Sequence, residues 1–235
     1  MFRGTLLYIL IPLIHGSMGF EQLCQRDDTS LSDCVQKLLI FLKPWIKKGI
    51  PEIGFPSFDP LVLNNTTVSH SLENANFTWI LNNSSMYYLH NYDVISVGQN
   101  GEIVSLDLKL DQMFATFDYK STGEVLNTPV NGEGHSKEWY GPIYVTIHIK
   151  HNIVNDNEIE LCNIADIKFQ FDIKNMHVNV RGLHEQEDDV HELFNDGSEE
   201  ILKVMNIMYD WLFEDLTKQI FIAICKQIPS ARFNI

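Results

Sequence analysis

Positive charge is what this chain of 235 residues most lacks. Its 17 Lys and Arg stand against 31 Asp and Glu, a formal net charge of -14. Binding a polyanion needs clustered Lys and Arg, so nucleic acid is excluded as a partner. The same deficit excludes docking on anionic lipid surfaces. The acidity itself reads as solubility. Long apolar runs are missing after the first twenty residues, and a spanning helix needs roughly 20 in a row. No internal repeat, low-complexity tract or Pro/Ser-rich linker divides the chain, so one domain is expected.

Catalytic signatures are missing too. No GxSxG elbow, Walker loop, HExxH or GxGxxG occurs. His70, His90, His135, His148, His151 and His177 are scattered, so no Ser-His-Asp or Cys-His set can be built from them. GEG at Gly132–Gly134 lacks a third glycine and reads as a turn. HEQEDDVHE, His184 to Glu192, gathers two His and five acids, but its spacing fits no ligand template. It reads as a solvated acidic loop before the last helix. The chain is therefore read as a protein that is not an enzyme, with no metal and no cofactor implied.

Cysteine is sparse. The set is Cys24, Cys34, Cys162 and Cys225, with no CxxC spacing for zinc. The N-terminus decides how to read it. MFRGTLLYILIPLIHGSMGF has Arg3, a short apolar stretch from Leu6 to Ile14, and small residues Ser17 and Gly19 ahead of a cut after Gly19. Residues 1–19 thus form a secretory signal peptide, and residues 20–235 a secreted, extracellular domain. An even set of cysteines on an oxidising route predicts two disulfides. Three pairings are possible. Nearness in sequence favours Cys24 with Cys34, which leaves Cys162 with Cys225. Five overlapping glycosylation sequons begin at Asn64, Asn65, Asn76, Asn82 and Asn83, so that region is expected at the surface of a glycoprotein.

What remains is apolar and periodic. Hydrophobic residues make up 45% of the chain, enough for a packed core. Ser30 caps a predicted helix in which Leu31, Val35, Leu38, Leu42, Trp45 and Ile46 recur every three or four residues. Pro44 is expected to kink or end it, and Gly49 is a natural C-cap. Alternation follows. Val104 to Leu110, Ile143 to Ile149 and Ile167 to Ile173 each place apolar side chains on one face and polar ones on the other. Gln99–Gly101 is a hairpin turn before the first of these strands. Asn175 shifts the phase before Met176, Val178 and Val180, which predicts a bulge or turn. The set reads as a largely antiparallel sheet. Ser198 then caps a helix of some 30 residues, about 45 Å long, whose apolar face needs a long partner. The class is α+β.

One stretch fits neither pattern. GIPEIGFPSFDPL, Gly49 to Leu61, has three prolines and two glycines, yet five large apolar side chains. With the C-x9-C pair and the amphipathic helix before it, this run resembles the N-terminal signature of the insect takeout / haemolymph juvenile-hormone-binding family. PVNGEG, Pro129 to Gly134, resembles a turn of that family, although Asn127 and Asn131 depart from its more usual apolar or small residues. The closing order is also similar: Leu193–Phe194, the long helix with Trp211, and IPSARF at Ile228–Phe233. The resemblance covers nearly the whole mature chain.

It implies a long C-terminal helix wrapped by a strongly curved antiparallel sheet, the architecture of bactericidal/permeability-increasing lipid-binding proteins. It further implies an apolar tunnel holding one lipophilic molecule, such as juvenile hormone, another terpenoid or a fatty lipid. Expected tunnel walls are Leu38, Leu42, Trp45, Ile53, Phe55 and Phe58 near the N-terminus. The sheet would add Phe114, Phe117, Ile147, Phe169 and Phe171, and the long helix Met205, Met208 and Trp211. Ordinary core packing is the competing reading of each. Ile50, Ile53, Phe55 and Phe58 are expected at the tunnel mouth. The expected partner is a small hydrophobic ligand held by a monomer without stable membrane insertion. The alternative is the same fold with a filled core, acting through a secreted or receptor protein.

Overall fold

The computed structural model describes residues 30–235, except 52–53, 73–74, 101–102, 156–157, 183–186, 196–197, 228–231 and 235. The expected signal peptide and Cys24 lie outside the described residues. So do the side chains of Cys34, Cys162 and Cys225, and with them the expected disulfides. Helix α1 spans Ser30–Lys48. Strands β1 (Leu61–Leu63), β2 (Thr66–Leu72), β3 (Ala75–Tyr87), β4 (Tyr92–Asn100), β5 (Ile103–Leu110) and β6 (Met113–Val125) follow. Next come β7 (Thr128–Pro129), β8 (Gly132–Tyr140), β9 (Ile143–Asn155), β10 (Glu158–Ile173) and β11 (Met176–Arg181). Helices α2 (Glu187–Asn195) and α3 (Glu199–Gln227) precede a short β12 (Arg232–Asn234). No helix among the described residues is long and apolar enough to cross a membrane.

All the strand pairs are antiparallel, and they form two sheets rather than one. Sheet 1 runs β1-β3-β6-β8-β11, with β2 beside β3 and β7 beside β6. Sheet 2 runs β12-β10-β9-β5-β4. The chain passes directly from a strand of one sheet to a strand of the other after β3, β5, β8 and β10. The phase shift at Asn175 is the last of these crossings. There the Gly141 amide donates to the Asn175 carbonyl at 3.0 Å, and the Lys174 amide to the Pro142 carbonyl at 3.0 Å. A side chain at Gly141 would meet the Asp111 carbonyl at 2.3 Å, so only glycine lets two crossings touch.

The predicted alternation holds. Ile143, Val145, Ile167, Phe169, Phe171, Ile173, Met176, Val178 and Val180 are all buried. One turn reading changes. GEG lies inside β8, not in a turn. The turn is Leu126–Asn127, both at positive φ (47° and 64°), the conformation a two-residue hairpin requires. Asn tolerates it well, which gives Asn127 a structural reason. Asn131 has one too: its side-chain oxygen accepts from the Gly123 amide at 2.9 Å.

Pro44 does not end α1, which runs on to Lys48. Gly49 ends it, at φ 73°, its amide donating to the Trp45 carbonyl at 2.7 Å. The chain then folds back. Ile50 and Phe55 exchange backbone hydrogen bonds of 2.8 and 3.1 Å, and Phe58 donates to the Ile46 carbonyl at 3.0 Å. Asp59 Oδ1 accepts from the Tyr88 amide at 3.0 Å. Lys47 and His90 approach the same carboxylate at 3.6 and 3.4 Å.

Helix α3 lies along β10 and seals its open edge. Asn206, Asp210 and Glu214 accept from the amides of Ile173, Phe171 and Phe169 at 2.9, 2.5 and 3.3 Å. Four residues of helix rise about 6.0 Å and two of strand about 6.6 Å, so successive partners stay in step. Helix α2 does the same for β11. Asn195 holds the Val178 amide and carbonyl, each at 2.8 Å. His191 Nε2 lies 3.0 Å from the Val180 amide nitrogen and 2.5 Å from its carbonyl oxygen. The expected solvated loop at 184–192 is therefore, over Glu187–Asn195, a helix with a task. Its Val190 and Phe194 are buried, and unpaired strand edges invite pairing with other chains.

Candidate functional site

A cavity opens between the inner face of sheet 1 and α2. Trp79, Phe117, Val130, Val178, Val190 and Phe194 supply apolar walls. Its volume is about 30 Å³ at the radius of a water molecule, room for one or two waters. Into these walls project Tyr119, Ser121, Ser136 and Glu138.

Glu138 is the unusual group. It sits mid-strand on β8, opposite Ala115 of β6 and Val178 of β11, and is 4% exposed. Ser136 donates to its Oε1 at 3.0 Å, and Tyr140 donates to Oε2. The Tyr209 hydroxyl, arriving from α3, bonds the same carboxyl group. No basic side chain is among the described lining residues. Burial without a counter-ion pushes the Glu138 carboxyl up to about 7, while the three hydroxyls pull back. Burial also raises Tyr140 and Tyr209 well above the ordinary phenol value. Tyr209 joins the layers: its ring packs edge-on to Tyr140 of sheet 1 at 5.3 Å and against Phe171 of sheet 2 at 5.9 Å.

The structure separates the expected wall residues into groups. Phe117 lines the cavity. Phe169 and Phe171 pack with Phe213 at 6.0 and 4.9 Å, beside Tyr209, and Met205 and Met208 are buried on the same helix. Ile147 is half-buried against the core. Leu42 and Trp45 are half-buried on α1. Phe55 and Phe58 stack at 5.5 Å, and Phe58 reaches the core, but neither lines the cavity. Ile53 and the Leu38 side chain lie outside the described residues.

Two of the expected wall residues face away from the cavity. Phe114 is three residues from Phe117, an odd separation in a strand, so it faces outward. There it joins a cross-strand row, Tyr87–Phe114–Trp139–His177, with ring centroids 5.0 to 5.7 Å apart. Trp211 is 43% exposed. Residues turn about 100° apart on a helix, which carries it off the stripe formed by Ile201, Met205, Met208 and Leu212. Of the sequon residues, Asn64, Asn65, Asn76 and Asn83 are exposed and Asn82 is half-buried.

Sequence reasoning missed Glu138. The signal was in HSKEWY, where Ser136, Glu138 and Tyr140 repeat every second residue. Reading GEG as a turn hid the strand that gives them a common inward face.

The model of the haemolymph juvenile hormone binding protein (JHBP) family matches residues 14–233. The chain belongs to that family. No curated protein sequence matches it. Among solved structures it is similar to Takeout 1 of Epiphyas postvittana, with a TM-score of 0.57 and 19% identity over 87% of this chain and 90% of that one. That likeness carries the fold: antiparallel sheets and a long C-terminal helix. A lipopolysaccharide binding protein also matches, with a TM-score of 0.36 and 11% identity over 80% of this chain and 38% of that one. The outward-facing Phe114 and the helix-sealed edges now belong to a JHBP-family fold in which Glu138 is the one carboxyl group among the buried residues described.

Proposed function

We propose that the protein is a secreted carrier of one small lipophilic molecule, a juvenile-hormone-like terpenoid or a fatty lipid. The observation that carries this is the cavity: apolar walls closed around a few convergent polar groups, in a chain of this family. Ligand sites are built in that proportion. Burying about twelve carbons contributes roughly 10 kcal/mol gross. Association removes several kcal/mol of that, which leaves nanomolar to micromolar affinity. No catalytic group is required.

The available space is well below the roughly 300 Å³ of a small ligand pocket. Binding must therefore move side chains, and the cavity wall formed by Val190 and Phe194 of α2 is the shortest one to displace. The stretch around Ile50, Phe55 and Phe58 does not line this cavity; it is proposed as the mouth of a longer path that such movement would open. The small volume also favours a second reading, a filled core acting through a protein partner. Native mass spectrometry on protein purified without detergent separates the two. A retained apolar mass supports the carrier. A protein that is always empty and takes up no fluorescent lipid probe overturns it.

A further inference from the structure

The carrier reading says nothing about the head of the ligand, but the geometry of Glu138 does, provided that reading holds. We propose that Glu138 is a specificity-determining residue, selecting lipids with an uncharged, hydrogen-bond-accepting head and rejecting lipids that carry a carboxylate.

The argument starts from what surrounds the carboxyl. Among the described residues its hydrogen-bond partners are all hydroxyls: Ser136 and Tyr140 on its own strand, and Tyr209 from α3. From β6, Tyr119 and Ser121 reach the cavity, and their hydroxyls are turned to the carbonyls of Arg181 and Gly132. From β11 come only Val178 and Val180, and from α2 Val190 and Phe194. His191, also on α2, is engaged with the Val180 backbone. No cation is present in this set to neutralise a second anion. A carboxylate-bearing ligand would place two like charges side by side with no basic side chain among the described lining residues, which disfavours binding.

An uncharged head fares differently. With Glu138 protonated, its O–H can donate to the Ser136 oxygen. The Ser136 hydroxyl is then released from the carboxyl and free to donate into the cavity it lines. An ester, ketone or alcohol oxygen can accept that bond. With Glu138 ionised, the carboxylate recaptures Ser136, Tyr140 and Tyr209, and the donor is lost. The raised carboxyl, near 7, places this change within the physiological range.

The test uses parinaric acid methyl ester and free parinaric acid as fluorescent probes, titrated into the full mature chain at pH 6 and pH 8.5. For the wild type, the free acid should bind at least about tenfold more weakly than the ester at pH 8.5. Ester affinity should itself weaken from pH 6 to pH 8.5. In Glu138→Gln, folded by circular dichroism, the gap between probes should shrink below about threefold and the pH dependence of ester binding should vanish. Ser136→Ala should weaken the ester at pH 6. Ester and acid binding within twofold in the wild type, or an unchanged gap in Glu138→Gln, overturns the proposal while leaving the carrier intact. Failure of both probes to bind at either pH overturns the carrier reading and this proposal with it.

Discussion

Replacing Glu138 with Gln should change how stability depends on pH, in a direction set by burial. In the unfolded chain the carboxyl titrates near its ordinary 4.5, and in the folded protein near 7. Between those values the folded state holds the extra proton. Stability from this group is therefore complete below pH 4.5 and declines as pH rises through 7. At 1.36 kcal/mol per unit, the decline to pH 8 is about 3 kcal/mol. Gln has the same shape and does not titrate, so the variant lacks this decline and shows only a constant offset.

Urea unfolding of both proteins at pH 5 and pH 8 measures it. The wild type should lose about 2.5 kcal/mol more than the variant between the two. In a thermal scan this is a relative shift of roughly 5–10 °C for a chain of this size. Asp210, which burial raises to about 6, weakens the fold in the same direction, but it is present in both proteins and cancels in the difference. A difference that stays flat to within about 0.5 kcal/mol would refute the reasoning. It would mean that the site is wet or that a cation enters it.

Other outcomes follow from the packing. Gly134→Ala puts a methyl 1.8 Å from the Arg181 carbonyl oxygen, so it should lower stability by about 2 kcal/mol or more in urea unfolding; Gly98→Ala, with nothing within 4 Å, is the control. Leu212→Ala should cost about 2–5 kcal/mol, and Trp211→Ala under about 1 kcal/mol, by the same measurement. Asp59→Ala leaves the Tyr88 amide without its acceptor and should cost about 1–2 kcal/mol. Phe55→Ser should weaken lipid-probe binding more than it weakens folding; equal losses would mark the hairpin as plain packing.

Much of this fold could be read from periodicity. Ile167 to Ile173 alternates because β10 has one buried face, and the 3–4 spacing from Ile201 to Leu212 follows from one buried stripe. Gly49 could be read as a helix stop because few other residues accept its φ. What stayed hidden is what periodicity does not encode. A crossing between sheets looks the same as a turn within one, so Asn175 gave no hint that the strands divide in two. Pro44 is tolerated on an exposed side of α1, a fact about the neighbourhood and not about proline. Glu187–Asn195 looks too acidic for a packed element, yet His191 and Asn195 spend their polarity on the β11 edge. Glu138 sat on a core face where sequence patterns expect an apolar residue.

The sealed edges constrain how such a molecule can open. Helices held to strands through backbone donors cannot roll or slide by small steps, since each shift breaks several bonds together. They stay seated or they lift. Lifting α2 to admit a ligand would bare the amides and carbonyls of Val178 and Val180 at one stroke. For that moment the protein would present a free strand edge to any second copy nearby. Its surplus of acidic residues would then matter in a second way, because like-charged copies repel one another and pairing across that edge is disfavoured.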